Sequence, residues 1–209
     1  MSVIVPTVTT NEPHIYRQQI ERIAPFAKRV HIDLADGVFA PNRLINPIQS
    51  WWPEDMTADL HLMYEDPATQ AETVVSLKPD LVVIHAEAVG NLPALIEHWQ
   101  KFGLKVGISL LQETTPEDAH ALIPLVDHVL IFSGDLGHFG GQADLRLLDK
   151  IPAIKRLNPE VEIAWDGGIS LDNAASLAKA GVDVLNTGGA IQRAEDPAAA
   201  YDALASAIS

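Results

Sequence analysis

Short apolar runs rich in β-branched residues recur along the chain, most of them about 20 to 35 residues apart. They predict eight β-strands, at residues 3–8, 30–34, 58–63, 81–85, 104–109, 127–133, 161–165 and 183–187. The segments between them have the apolar periodicity of amphipathic helices. Helices are predicted at residues 14–27, 67–77, 91–102, 116–125, 144–157, 170–180 and 197–208. The stretch 43–56 is less regular and suits a short helix around residues 48–52.

The central strands are apolar on both faces, as residues 81–84 and 129–132 illustrate. Such strands are typical of a parallel sheet that is covered by helices on both sides. Eight strand–helix units in 209 residues therefore predict a compact (β/α)8 TIM barrel, a single domain over residues 1–209. A doubly wound open sheet gives the same alternation and is the alternative fold.

The composition narrows the class of function. Fourteen basic and 28 acidic residues give a net charge of −14, and a nucleic-acid-binding protein would need a basic surface instead. No apolar run reaches the roughly 18 residues of a membrane span, and the N-terminal residues lack the basic segment of a signal peptide. The absence of cysteine excludes disulfides and thiolate chemistry, and it fits a cytoplasmic protein.

Polar side chains gather at the carboxyl ends of the predicted strands, where (β/α)8 barrels place their active sites. His31 and Asp33 are two residues apart and so share one face of a strand, and the same holds for His61 and Met63. Asp166 ends the seventh strand. Two histidines and two aspartates could together bind a divalent cation such as Zn, Fe(II), Mn or Co. Taken singly, each could instead be a hydrogen-bonded histidine or an aspartate that caps a helix.

Glycine-rich segments follow three neighbouring strands, at residues 137–142, 167–168 and 188–189. Glycine lets backbone N–H groups approach an anion, and barrels of this kind often bind phosphate after strands 7 and 8. Their joint position favours phosphate binding, although each segment alone could be a turn. No predicted strand ends in lysine, so a Schiff-base mechanism lacks its residue. The remaining histidines expected on the surface or on helix flanks are His14, His98, His120 and His128.

Residues 31–42 resemble the strand 2 signature of the ribulose-phosphate 3-epimerase family. Residues 59–63 with Pro67, residues 140–142 and residues 166–169 match further motifs in the same order, so the resemblance covers nearly the whole chain. It implies a metal-dependent barrel of the ribulose-phosphate-binding type and a homo-oligomer. The implied reaction interconverts D-ribulose 5-phosphate and D-xylulose 5-phosphate, a step of the pentose phosphate pathway.

The resemblance also assigns roles to particular residues. It implies that the four ligands of one divalent cation are His31, Asp33, His61 and Asp166. Asp33 and Asp166 would also be the catalytic carboxylates, which remove the C3 proton from one face of the sugar and return it on the other. The implied substrate contacts are Thr7, which stands where the family usually has serine, Met63, Gly140, Gly141, Gly168, Gly188 and Gly189.

Several positions depart from the family pattern. Ala35 and Phe132 stand where the family usually has methionine, and Gly189 replaces a common serine. The loop 134–141 is longer by one residue and carries Asp135. These changes bear on the substrate more than on the reaction type, so a D-allulose 6-phosphate 3-epimerase is an alternative function. A non-catalytic sugar-phosphate-binding paralogue is another. Ala35 also occupies the lysine position of the orotidine-monophosphate decarboxylase motif, which argues against that activity.

Overall fold

The computed structural model describes residues 2–138 and 141–209. Eight parallel strands form a closed barrel in sequential order, and the last strand pairs with the first. The strands are β1 (Val3–Val8), β2 (Arg29–Ala35), β3 (Thr57–Met63), β4 (Leu81–His85), β5 (Lys105–Leu110), β6 (His128–Phe132), β7 (Glu162–Asp166) and β8 (Val184–Thr187). The α-helices of the described residues are α1 (Pro13–Ile23), α2 (Ala71–Leu77), α3 (Leu92–Lys101), α4 (Ile151–Leu157), α5 (Ala174–Lys179), α6 (Gly189–Gln192) and α7 (Pro197–Ala207). The predicted (β/α)8 barrel is confirmed, and the pairing of β1 with β8 excludes the open sheet.

The strands have two apolar faces because the barrel buries both of them. Inward-facing side chains form a small core within the barrel, made of Val5, Leu81, Val83, Leu130, Ala164 and Val184. Outward-facing side chains such as Val82 and Ile84 belong to a larger cluster with the helices, which includes the buried Trp99 of α3. Every strand lies within one residue of its predicted ends, because each run must satisfy both layers at once.

The segment 116–125 is not an α-helix, so that prediction was wrong. Its backbone forms turns, with the N–H of Leu122 bonded to the carbonyl of Ala119, and it ends in a 3₁₀ turn over Ile123–Leu125. Pro124 has no N–H to donate, and its ring would clash with the carbonyl four residues earlier in an α-helix. The apolar spacing of this segment therefore reflects burial without a continuous α-helix.

Two other predicted helices are present, but the first residues of each form a 3₁₀ turn and not an α-helix. A 3₁₀ turn over Pro67–Gln70 precedes α2, and the side chain of Asp66 caps it by accepting a hydrogen bond from the N–H of Ala68. Another 3₁₀ turn, Leu145–Lys150, precedes α4, and the short helix expected near residue 48 is the 3₁₀ turn Pro47–Gln49. No helix of the described residues is long and apolar enough to cross a membrane.

A network of charged side chains closes the amino-terminal end of the barrel. Arg29 donates to both oxygens of Asp59, at 3.1 and 2.8 Å, and to both oxygens of Glu162, at 3.3 and 3.0 Å. Nδ1 of His128 lies 2.8 Å from Glu162 Oε2. His128 is buried, contrary to the prediction of a surface residue, because it begins β6 and pairs with Glu162 of the neighbouring strand.

Candidate metal centre and substrate cavity

The four predicted metal ligands come together at the carboxyl ends of three strands. His31 and Asp33 point inward from β2, His61 from β3 and Asp166 from the last position of β7. Asp33 and His61 are direct partners in the pairing of β2 with β3. One potential ligand atom from each of the four residues lies within 4.8 Å of all the others. His31 and Asp33 therefore share one face of β2, as their spacing of two residues predicted.

The separations suit a single cation. His61 Nδ1 lies 3.0 Å from Asp33 Oδ1, and His31 Nε2 lies 3.4 Å from the same oxygen and 3.7 Å from Asp166 Oδ2. Ligands about 2.1 Å from one ion, at angles of about 90° to 109°, lie about 3.0 to 3.4 Å apart. The two separations from Asp33 fall in this range, and the separation between His31 and Asp166 needs a wider angle or a small shift of one side chain. Both ring nitrogens of His31 are buried and have no hydrogen-bond partner among the described residues. A buried imidazole left in this way costs free energy, and a cation would satisfy it.

The two carboxyl groups are electrostatically unlike. Burial is the largest influence on both and by itself raises the pKa of each. At Asp33, the interactions with His31 and His61 outweigh burial, and its pKa lies well below the usual range. At Asp166 the negative charge of Asp33 adds to burial, and the pKa rises to about 7. Paired groups with pKa values pushed apart are typical of an acid and a base that work together.

The two histidines also differ. Burial lowers the pKa of His61 to about 3, so its ring is neutral at pH 7. Burial acts in the same direction on His31, but the negative charges of Asp33 and Asp166 outweigh it and raise the pKa. A cation and a proton would therefore compete for His31.

A cavity of about 260 Å³ opens above this cluster. The predicted residues that line it are Thr7, Asp33, Met63, Gly141, Asp166, Gly168, Gly188 and Gly189. His31 and His61 do not line it and are fully buried. Gly140, also predicted as a substrate contact, lies outside the described residues. Two of the candidate metal ligands, Asp33 and Asp166, therefore share this cavity with the glycine-rich loops.

Two adjacent glycines hold these loops against each other. Gly167 and Gly168 both have positive φ, at 108° and 69°. A Cβ on Gly167 would lie 2.1 Å from the backbone nitrogen of Gly134, and one on Gly168 would lie 2.1 Å from that of Ala143. No other residue fits these positions without moving the loop after β6, so the two glycines set the wall of the cavity.

Thr9 and Asn186 are among the polar residues that line the cavity and that sequence reasoning missed. Thr9 Oγ1 donates a hydrogen bond of 2.6 Å to Asp33 Oδ2. Asn186 is buried, and neither its side-chain oxygen nor its nitrogen has a partner among the described residues. The hydroxyl of Thr7 is likewise buried and without a partner there. The available signal was strand alternation, since Asn186 is two residues after the inward-facing Val184.

Of the two departures from the family pattern, Phe132 lines the cavity, and Ala35 lies next to a residue that lines it, Met63. Ala35 is buried in a small apolar cluster with Met63, against which Phe39 and Leu136 pack. These side chains surround the position where the family usually has methionine. The ring of Phe132 lines the cavity and lies 6.0 Å from that of His61, measured between centroids.

Fold and site together define a (β/α)8 barrel with a candidate metal centre at the carboxyl ends of its strands. Solved structures of low sequence identity share this fold. The 3-hexulose-6-phosphate synthase of Salmonella typhimurium superposes with a TM-score of 0.72 at 16% identity, covering 100% of this chain and 98% of that chain. The 3-keto-L-gulonate-6-phosphate decarboxylase of Vibrio cholerae gives a TM-score of 0.70 at 13% identity, with 99% and 97% covered.

The sequence comparisons are more specific. The model of the ribulose-phosphate 3 epimerase family matches residues 3–192. The ribulose-phosphate 3-epimerase of Helicobacter pylori is 32% identical, over 96% of this chain and 95% of its own length. That of Mycobacterium bovis is 33% identical, over 92% and 90%. The chain belongs to the ribulose-phosphate 3-epimerase family, which confirms the family and the isomerase class predicted from the sequence.

Proposed function

We propose that this chain is a metal-dependent 3-epimerase that interconverts D-ribulose 5-phosphate and D-xylulose 5-phosphate. The observation that carries the proposal is the cluster of His31, Asp33, His61 and Asp166, held within 4.8 Å beside a cavity of suitable size. Family membership supports the reaction type, and the two unlike carboxyl groups support proton transfer in both directions.

The four clustered side chains would hold one divalent cation, which supplies positive charge where the substrate develops negative charge. Asp33 is ionised, so it can accept the proton from C3 of one epimer. Asp166 reaches the same cavity from β7, so its carboxylate can exchange a proton with C3 from a second side. Transfer by two carboxylates from opposite sides inverts C3. Thr9 fixes Asp33 Oδ2 through its hydroxyl.

The glycine-rich wall would bind the phosphate group. Gly188 and Gly189 lie at the start of α6, and the first N–H groups of a helix have no partner within it. Gly168 lines the same cavity, so its backbone can contribute to the contact with the phosphate group. The overall negative charge does not oppose this binding, because the contacts are local backbone dipoles.

The test of the proposed function is proton NMR in D2O with the purified protein, a divalent cation and D-ribulose 5-phosphate. We expect D-xylulose 5-phosphate that carries deuterium at C3. If there is no exchange, D-allulose 6-phosphate is the next substrate, and exchange with it would indicate the hexulose-phosphate epimerase instead. Tight binding of both sugars without exchange from either would overturn catalysis and indicate a binding paralogue. The cytoplasmic location and the homo-oligomer stay predictions of the sequence.

Metal binding should weaken as the pH falls. Asp166, with a pKa of about 7, takes up a proton as the pH falls that a cation must displace, and the raised pKa of His31 adds competition in the same direction. Protonation increases below pH 7, so the apparent affinity for Zn(II) should drop about tenfold or more from pH 7.5 to pH 6.0. Calorimetry in buffers of different ionisation enthalpy should record proton release at pH 6.0. An affinity that is constant across this range would contradict these protonation states.

Asn186 should contribute to substrate binding. Its buried amide has no partner among the described residues and lines the cavity, between Asp166 on the paired strand and the following Gly188. We expect Asn186→Leu to lower kcat/KM by about 10- to 100-fold, because a hydrogen bond to a sugar hydroxyl group is worth about 1 to 3 kcal/mol when one partner stays buried. Steady-state kinetics on D-ribulose 5-phosphate measure this effect. A variant with unchanged kcat/KM would remove Asn186 from the binding site.

A further inference from the structure

His85 is a buried histidine beside the candidate metal centre that is not one of the four ligands. It ends β4, is fully buried, and its ring lies 4.5 Å from that of Phe39 between centroids. Its Nε2 lies 2.9 Å from Nε2 of His61. Two imidazole nitrogens at this distance form a hydrogen bond only if one carries a proton and the other does not. The direction of this bond determines the tautomer of His61.

Glu87 sets that direction. Nδ1 of His85 lies 3.5 Å from Glu87 Oε2. Both atoms are buried, and neither makes a short hydrogen bond with another of the described residues. Each is therefore left facing the other. The other oxygen of Glu87 accepts a hydrogen bond of 2.9 Å from the N–H of Leu111, which fixes the carboxylate. Since an ionised carboxylate only accepts hydrogen bonds, the proton of His85 belongs on Nδ1.

The charge states agree with this geometry. Burial by itself raises the pKa of Glu87, but the interactions with His85, with Thr114 and with the backbone N–H of Leu111 outweigh it, and the pKa is lowered. Glu87 is therefore ionised at pH 7. His85 is fully buried, and a buried ring disfavours positive charge, so the ring carries a single proton.

A proton on Nδ1 of His85 leaves its Nε2 as the acceptor, so His61 must donate from its own Nε2. Nδ1 of His61 is then a bare lone pair, 3.0 Å from the carboxylate oxygen Asp33 Oδ1. Two such acceptors repel each other unless a cation binds both. The hydrogen bond with His85 thus imposes on His61 the tautomer that a metal ligand needs, with a free lone pair on Nδ1.

We propose that His85 and Glu87 are positioning residues, which fix the tautomer of His61 so that its Nδ1 faces the cation. The inference rests on the proposed function only in that a cation binds at this centre. Its readouts are made without any sugar, so the two can fail separately.

The first readout needs no substitution. In the metal-free protein at pH 7, nitrogen-15 NMR of the histidine rings should find His61 protonated at Nε2 and His85 protonated at Nδ1. The second readout is the affinity for Co(II) and Zn(II), measured by absorbance titration and by competition with a chelator. Both compare wild type with variants whose fold is verified by circular dichroism.

Glu87→Gln is the most informative variant. Its amide oxygen can keep the hydrogen bond from Leu111, which turns the NH2 group toward Nδ1 of His85 and reverses the chain of donors. His61 would then carry its proton on Nδ1, and the metal affinity should fall about 10- to 100-fold. His85→Phe, which removes the acceptor and adds a ring beside Phe39, should weaken binding similarly.

Two comparisons separate positioning from general damage. His85→Gln keeps an acceptor near the position of Nε2 and should restore much of the affinity that His85→Phe loses. Glu113→Gln makes the same chemical change at an exposed position in the loop after β5, and this variant should bind metal as wild type does. A His61 ring protonated at Nδ1 in the wild type would overturn the proposal. So would a folded Glu87→Gln variant with unchanged metal affinity. Expected tautomers and affinities in a protein that turns over no ketose phosphate would uphold it while the proposed function fails.

Discussion

Replacing either Asp33 or Asp166 with asparagine should lower kcat/KM at least about 1000-fold, since each variant loses both a proton-transfer group and a metal ligand. Asparagine has the same shape, so the barrel should stay folded. Steady-state kinetics with D-ribulose 5-phosphate and D-xylulose 5-phosphate measure the loss. Asp135→Asn is the matched control, because Asp135 lines the same cavity but is outside the four-residue cluster. It should keep activity within about tenfold.

The two variants should also differ from each other in D2O. Asp33→Asn leaves only Asp166 to exchange a proton at C3, and Asp166→Asn leaves only Asp33. With metal supplied in excess, each variant should slowly wash deuterium into one epimer and not into the other, and the two variants should select opposite epimers. If one variant exchanged both epimers at comparable rates, a single group would serve both faces and the assignment of two carboxylates would be wrong.

The sequence predicted that these four candidate ligands lie together because they obey two rules at once. His31 and Asp33 share the inner face of a strand, and strand alternation alone puts both into the barrel. Their position at carboxyl ends brings them beside His61 and Asp166, because all eight parallel strands end at the same rim. The pattern needs no knowledge of side-chain contacts, and the structure places all four together.

Other parts of the site could not be read from such a pattern. A single polar residue at a strand end, such as Thr9 or Asn186, is equally consistent with a turn or a cap, so its burial decides the matter. The tautomer chain through His85 depends on two distances that no spacing encodes. His128 was misjudged for a related reason. Its polarity suggested an exposed position. In the structure Nδ1 of His128 lies next to Glu162 at the amino-terminal end of the barrel, and this contact compensates its burial.

A single substitution should lower the free energy of unfolding most in the charged network at the amino-terminal end of the barrel. Arg29 is the cation that lies against the fully buried carboxylate of Asp59, and burial raises the pKa of Asp59 even with Arg29 in place. Arg29→Met would leave that charge without its partner and should lower the free energy of unfolding by about 3 to 5 kcal/mol at pH 7. Urea unfolding measures the difference. The control is Lys28→Met at the position before Arg29, where the lysine pairs with Asp55 on the surface. It should lower the free energy of unfolding by less than about 1 kcal/mol.

The pH dependence gives this prediction a sign. Without Arg29 the pKa of folded Asp59 should rise further above its unfolded value, so the folded state of the variant holds a proton that the unfolded state has lost. Stability lost in this way grows as the pH rises through the window between the two pKa values. The deficit of Arg29→Met should therefore be smaller at pH 5 than at pH 7. Adding Asp59→Asn should recover much of it, because a neutral amide needs no cation. If the deficit stayed the same at both pH values and in the double variant, Arg29 would act through packing of its side chain and not through the charge of Asp59.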